Sequence, residues 1–135
     1  NWWVSGDAPA ERIPFDFPFD WAKETLEQYL KFRQFYYGDY YPLTGYSQAP
    51  DLWMAYQLDR PDLASGMVVV LRRPESPYQS ARFPLRGLDQ RASYRITNLD
   101  TRQQSSHTGG QLSEQGLEVS LGSKPGSAVL VYQRE

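Results

Sequence analysis

The stretch Phe35-Tyr36-Tyr37-Gly38-Asp39-Tyr40-Tyr41-Pro42-Leu43-Thr44 sets five aromatic rings around a Gly-Asp turn and closes on a proline. It divides the chain. Upstream the sequence reads as an irregular segment and one helix, and downstream as a run of short strands. Five rings in seven residues need burial or a ligand, because that much exposed aromatic surface invites association.

Downstream of the block the hydrophobic period falls to two. Leu52, Met54, Tyr56 and Leu58 alternate with Trp53, Ala55 and Gln57, which predicts a strand with both faces at least partly covered. A second strand is expected over residues 66–73, after the punctuation of Pro61-Asp62 and Ser65-Gly66. Further strands are expected at 81–86, 93–98, 117–121 and 128–133. Gly87-Leu88-Asp89, Asn98-Leu99-Asp100, Thr108-Gly109-Gly110 and Lys124-Pro125-Gly126 are turn signals spaced about ten residues apart, the rhythm of an antiparallel sandwich or barrel. Pro84 places its strand at an edge or a bulge.

Upstream, residues 1–19 are rich in Trp, Phe and Pro without a sustained period, and Pro14 and Pro18 forbid a helix interior there. Asp20 reads as the N-cap of a helix from residue 21 to about 36, with Ala22, Leu26, Tyr29 and Leu30 on one face and Glu27 and Lys31 as a favourable i,i+4 pair. Gly38 is expected to end that helix in a left-handed or turn conformation, and Pro42 discourages its resumption. The fold class is therefore mainly β: an antiparallel β-sandwich over residues 40–135, preceded by one α-helix within residues 1–39.

Composition narrows the function classes. At 135 residues, 40% hydrophobic and 22% charged, the chain can bury one ordinary core. A net charge of -2, with basic residues scattered among acids, argues against nucleic acid or an anionic membrane surface as a partner. Without cysteine there is neither a disulfide framework nor a thiolate metal site. The longest apolar run, Met67 to Leu71, falls far short of the roughly 20 residues of a membrane helix. The opening Asn1-Trp2-Trp3-Val4 has no Met and no leader, so the chain is expected to be part of a longer polypeptide; no targeting segment is read and the localisation stays open.

Catalytic chemistry is scarce. The single histidine, His107, sits in the polar stretch Gln103-Gln104-Ser105-Ser106-His107-Thr108-Gly109, expected to be a solvated turn without partners for a triad or a zinc site. Gly109-Gly110 are expected to precede a strand rather than a helix, which is unlike a phosphate-cradling loop. No cofactor and no metal ligand is assigned. Asp7, Asp16, Asp20, Asp39 and Asp51 invite comparison with the carboxylate pair of glycoside hydrolysis, whose members face each other about 5 to 10 Å apart. A helix cap suits Asp20 better, and turn and strand-start roles suit Asp39 and Asp51. For Asp7 in Ser5-Gly6-Asp7 an Asx-type turn is favoured over a catalytic or sugar-binding carboxylate. Trp2, Trp3, Tyr36, Tyr37, Tyr40 and Tyr41 form the other constellation, either rings for stacking on sugars or the glue of a domain seam. The candidate carbohydrate-binding or interdomain residues are thus Trp2, Trp3, Asp7, Tyr37, Asp39, Tyr40 and Tyr41.

Several ordered motifs carry a resemblance. The aromatic block, Asp51-Leu52-Trp53-Met54-Ala55-Tyr56-Gln57-Leu58-Asp59-Arg60-Pro61, Gly66-Met67-Val68-Val69-Val70-Leu71-Arg72-Arg73, Leu85-Arg86-Gly87-Leu88-Asp89, Gly116-Leu117-Glu118-Val119-Ser120-Leu121 and Ser127-Ala128-Val129-Leu130-Val131-Tyr132 resemble the C-terminal region of family-36-like glycoside hydrolases, the α-galactosidase type. The resemblance covers about residues 20–135. It implies a large (β/α)8 catalytic barrel followed by an antiparallel sandwich, with residues 1–39 as the barrel's last strand, loop and helix. It also implies a retaining parent enzyme whose nucleophile and acid/base are aspartates in upstream motifs that no stretch here matches, so no catalytic residue is assigned. The implied function is a non-catalytic C-terminal accessory domain that stabilises the barrel of an enzyme acting on α-galactosides or related sugars. The implied partners are that barrel, carbohydrate and a second copy of the chain. The alternative is a stand-alone carbohydrate-binding or protein-interaction sandwich module.

Overall fold

The structure, a computed structural model, describes residues 16–135. The chain forms two compact units, Asn1–Lys31 and Phe32–Glu135. The described part of the first is dominated by helix α1, Phe19–Phe32. The helix starts earlier than expected: the Ala22 amide donates to the Pro18 carbonyl at 3.0 Å, so Asp20 lies inside the first turn and is not the N-cap. There its carboxylate still complements the positive end of the helix dipole. Past Phe32 the expected helix continues only as a tighter 3-10 turn, Arg33–Tyr37.

The second unit is mainly β. Its strands are β1 (Asp39–Pro42), β2 (Trp53–Arg60), β3 (Ser65–Arg72), β4 (Ser80–Phe83), β5 (Ser93–Asn98), β6 (Gln104–Thr108), β7 (Leu117–Ser120) and β8 (Gly126–Arg134), with a short helix α2 (Gly109–Glu114) before β7. All pairings are antiparallel: a six-stranded sheet in the order β1-β2-β3-β8-β5-β6 and a two-stranded sheet β4-β7. β4 stops at Phe83, because Pro84 has no N–H for the ladder.

Period-two patterning builds two cores on the two faces of the large sheet. Val68 and Val70 of β3, Ala128 and Leu130 of β8 and Ile96 of β5 point into the main core, where Phe83, Leu117 and Val119 of the small sheet meet them. Met67 of β3 and Leu58 of β2 point the other way and are capped by Phe35, which is 3% exposed. β2 is therefore covered on both faces, as its double alternation predicts.

Of the two conformations expected of Gly38 the turn is found and the left-handed one is not: its φ is -91° and its N–H donates to the Phe35 carbonyl at 2.9 Å. Glycine is required there because a Cβ would sit 2.1 Å from the Asp59 carbonyl oxygen, so only a bare backbone can turn into β1 beside β2. Gly109-Gly110 begin helix α2 instead of preceding a strand. A capping box holds that start: the Gln111 amide donates to Thr108 Oγ1 at 3.2 Å and the Thr108 amide to Gln111 Oε1 at 2.9 Å. His107 is not in a turn; it lies within β6, half-buried.

Candidate functional site

Strand β1 carries most of the aromatic block and sets its geometry. Alternation along a strand sends successive side chains to opposite faces. Tyr40 pairs with Leu58 and takes the face of the Phe35 core, while Tyr41 pairs with Gln57 and takes the face of the main core. The two rings therefore do not share a platform. Tyr40 is 59% exposed and its ring lies 5.7 Å from that of Tyr56. Tyr56 hydrogen-bonds to Tyr36, and burial, followed by these two phenols, pushes its own hydroxyl up from the ordinary tyrosine range. Tyr37 projects almost fully into solvent. Of the other expected site residues, Asp39 is exposed on β1 opposite Asp59, and Trp2, Trp3 and Asp7 lie outside the described residues.

Beside this strand a cavity of about 320 Å³ is bounded by Tyr40, Tyr46, Gln48, Trp53 and Arg73. Arg73 braces its loop by donating from Nη1 to the Ala49 carbonyl at 2.6 Å and from Nη2 to the Ser47 carbonyl at 2.5 Å. Gln48 Nε2 donates to the Tyr46 hydroxyl at 2.8 Å, holding an otherwise exposed ring at the mouth.

The inner side of β2 holds a buried polar network that the sequence reading passed over. Tyr132 Oη donates to Asp59 Oδ1 at 2.5 Å, and Gln57 Nε2 donates to Tyr132 Oη and to the Arg86 carbonyl, each at 2.8 Å. The Arg86 amide returns a bond to Gln57 Oε1 at 2.9 Å. Burial raises the Asp59 carboxyl above the usual carboxylate range; the Tyr132 bond opposes that shift and the facing charge of Asp39 adds to it. Burial and the Asp59 bond also push the Tyr132 hydroxyl upward, so it stays a donor. Gln57 and Asp59 share a strand face with Trp53 and Ala55, and that shared period was the available signal. The network clamps β2 to β8 and to the segment after β4, a structural task.

Comparison with known proteins gives a consistent picture. Residues 50–132, more than half of the chain, match the family model described as the glycosyl hydrolase family 36 C-terminal domain. No curated protein matches the chain significantly. Among solved structures, the chain is similar to the GH36 α-galactosidase AgaA from Geobacillus stearothermophilus, with a TM-score of 0.70 and 19% identity over 86% of this chain and 16% of that one. It is also similar to the α-galactosidase from Lactobacillus brevis, with a TM-score of 0.68 and 18% identity over 93% of this chain and 17% of that one. The galactosidase domain of the α-galactosidase-sucrose kinase AgaSK gives a TM-score of 0.66 and 18% identity over 84% and 15% of the respective chains. This chain therefore spans only about one sixth of the solved chains it resembles.

Proposed function

The chain belongs to the glycosyl hydrolase family 36 C-terminal domain family, and from that premise we propose that it is the non-catalytic accessory domain of an enzyme acting on α-galactosides or related sugars. In this reading residues 40–135 are the C-terminal sandwich and residues 1–39 the end of a catalytic barrel, with α1 as its last helix. The sandwich stabilises the barrel, and the aromatic block is the seam at which the chain passes from one to the other.

Helix α1 is the observation that carries the reading. It is amphipathic in sequence, yet it buries no residue: Phe19, Trp21, Leu26, Tyr29 and Leu30 are all exposed. An apolar stripe of that kind forms to cover a core, and a barrel preceding the sandwich would supply one. The likeness to α-galactosidases several times longer than this chain supports the same parentage.

The test compares a polypeptide extended N-terminally through its catalytic region with the same polypeptide cut before residue 40. The extended form is expected to hydrolyse an aryl α-galactoside, and the cut form to lose soluble yield and melting temperature. The 135-residue chain alone is expected to be inactive. Hydrolysis by the 135-residue chain, or a cut form as stable and active as the extended one, would reject the accessory role.

A further inference from the structure

The sandwich is unequal: a six-stranded sheet faces a two-stranded one, and β6 is the outermost strand of the wider sheet. The consequence is visible in the β5–β6 register. His107 pairs with Tyr94 and Ser105 with Ile96, and directly paired residues share a face. Tyr94 and Ile96 are buried in the main core, so His107 and Ser105 stand on the inward face of the sheet. Elsewhere that face carries aliphatic and aromatic side chains, the satisfied Gln57–Tyr132–Asp59 network and the buried Arg72, which donates to the Leu121 and Ser76 carbonyls. At β6 it carries a hydroxyl and an imidazole, joined to each other at 3.0 Å.

Between this inward face of β6 and strand β7 lies a groove of about 570 Å³. Ile96, Val119 and Leu130 give it an aliphatic floor, and Asn98, Ser105 and His107 give it a polar wall. Its size falls within the range of about 300–1,000 Å³ typical of small-ligand sites. No lysine or arginine lines it among the described residues. Its one carboxylate, Glu118, is paired with Arg82.

We propose that this groove is a binding site for a neutral, polyhydroxylated ligand, a short oligosaccharide. The lining selects that class. Without a cationic wall there is nothing to hold a phosphate or a carboxylate, whereas an amide, a hydroxyl and an imidazole match sugar hydroxyls in both donor and acceptor capacity. The aliphatic floor suits the C–H face of a sugar ring. A peptide strand would instead be recognised through backbone edges, and here the polar groups are side chains, Asn98 from β5 and Ser105 and His107 from β6. With no Phe, Tyr or Trp ring in the lining, binding is expected at millimolar strength, far from the Tyr40–Tyr46 cavity.

The experiment is a two-dimensional amide NMR titration of the 135-residue chain with raffinose and, separately, maltotriose. Raffinose is chosen on the parentage proposed above; maltotriose tests the groove without that assumption. Saturable shifts with either sugar at residues 96–98, 103–108 and 117–120, weakened at least about fivefold by His107→Ala and by Ser105→Ala, are the expected result. Both side chains reach solvent, and a dispersed spectrum confirms that each variant is folded. Three outcomes overturn the proposal: no saturation up to about 50 mM of either sugar, shifts confined to residues 36–46, or binding that both variants leave unchanged. Saturable shifts at the same amides with an extended Val-Thr peptide, the sugars being inert, would reassign the groove to strand addition. Loss of the groove proposal leaves the accessory-domain reading intact, because that reading is decided by hydrolysis and stability of the extended polypeptide.

Discussion

Helix α1 and strand β3 carry comparable apolar patterns and end in opposite conditions. β3 buries Met67, Val68 and Val70 almost completely by covering both of its faces within one unit, whereas α1 leaves Phe19, Trp21, Leu26, Tyr29 and Leu30 exposed and half-buries Phe32 beside the Phe35 cluster. One residue of the 3-10 turn that continues α1 is buried as deeply as β3: Phe35, three residues past the helix, is 3% exposed. Periodicity thus reports what a segment is built to cover, not whether the cover is within the chain. For β3 the cover is present. For α1, which buries no residue, the cover is incomplete, and that asymmetry is the physical content of the accessory-domain reading.

Substitutions put this contrast to the test. The largest effect is expected from Phe35→Ala, which empties the cap over Leu58 and Met67 and should cost about 3–5 kcal/mol in denaturant unfolding of the sandwich. Tyr132→Phe removes the donor to the buried Asp59 carboxyl and should cost about 1–3 kcal/mol. Gly38→Ala forces a methyl against the Asp59 carbonyl and should also cost about 1–3 kcal/mol through displacement of β1.

A smaller effect is the pH dependence of Asp59. Its folded carboxyl titrates above its unfolded value, so between those two values the native state holds a proton that the unfolded chain has released. Stability contributed by this group is therefore full at low pH and falls as pH rises through that window. Asp59→Asn removes the fall, and its melting temperature relative to the parent chain should rise as pH increases above the ordinary aspartate range. Smallest of all, Leu26→Ser with Leu30→Ser should change sandwich unfolding in this chain by less than about 0.5 kcal/mol, since both side chains are already about half exposed. In the extended polypeptide the same pair should be strongly destabilising.

Legibility in the sequence followed the same division. β2, β3, β5, β7 and β8 were readable because alternating burial leaves a period of two, and the helix was readable from its apolar face. β6 was not, because an edge strand with Gln104, Ser105 and Ser106 exposed has no hydrophobic alternation to read. β1 is only four residues long and ends in proline, so its rings read as a turn. Gly38 looked conformational because its true constraint, the Asp59 carbonyl, is a neighbour in space and not in sequence. Thr108 and Gln111 did contain a readable signal, a capping box, that the adjacent glycine pair obscured. Among the expected site residues, Tyr40 and Tyr41 are brought to one strand but sent to opposite faces, a separation that follows from the strand itself.

The most direct test is amide hydrogen exchange over α1 in two settings, the 135-residue chain and the N-terminally extended polypeptide. A helix of 14 residues that buries no residue is marginal on its own. Its amides are expected to exchange close to the unprotected rate in the short chain, while those of β3 remain protected, and to become strongly protected in the extended one. Equal protection of α1 in both polypeptides would contradict the claim that its apolar face is made for a barrel.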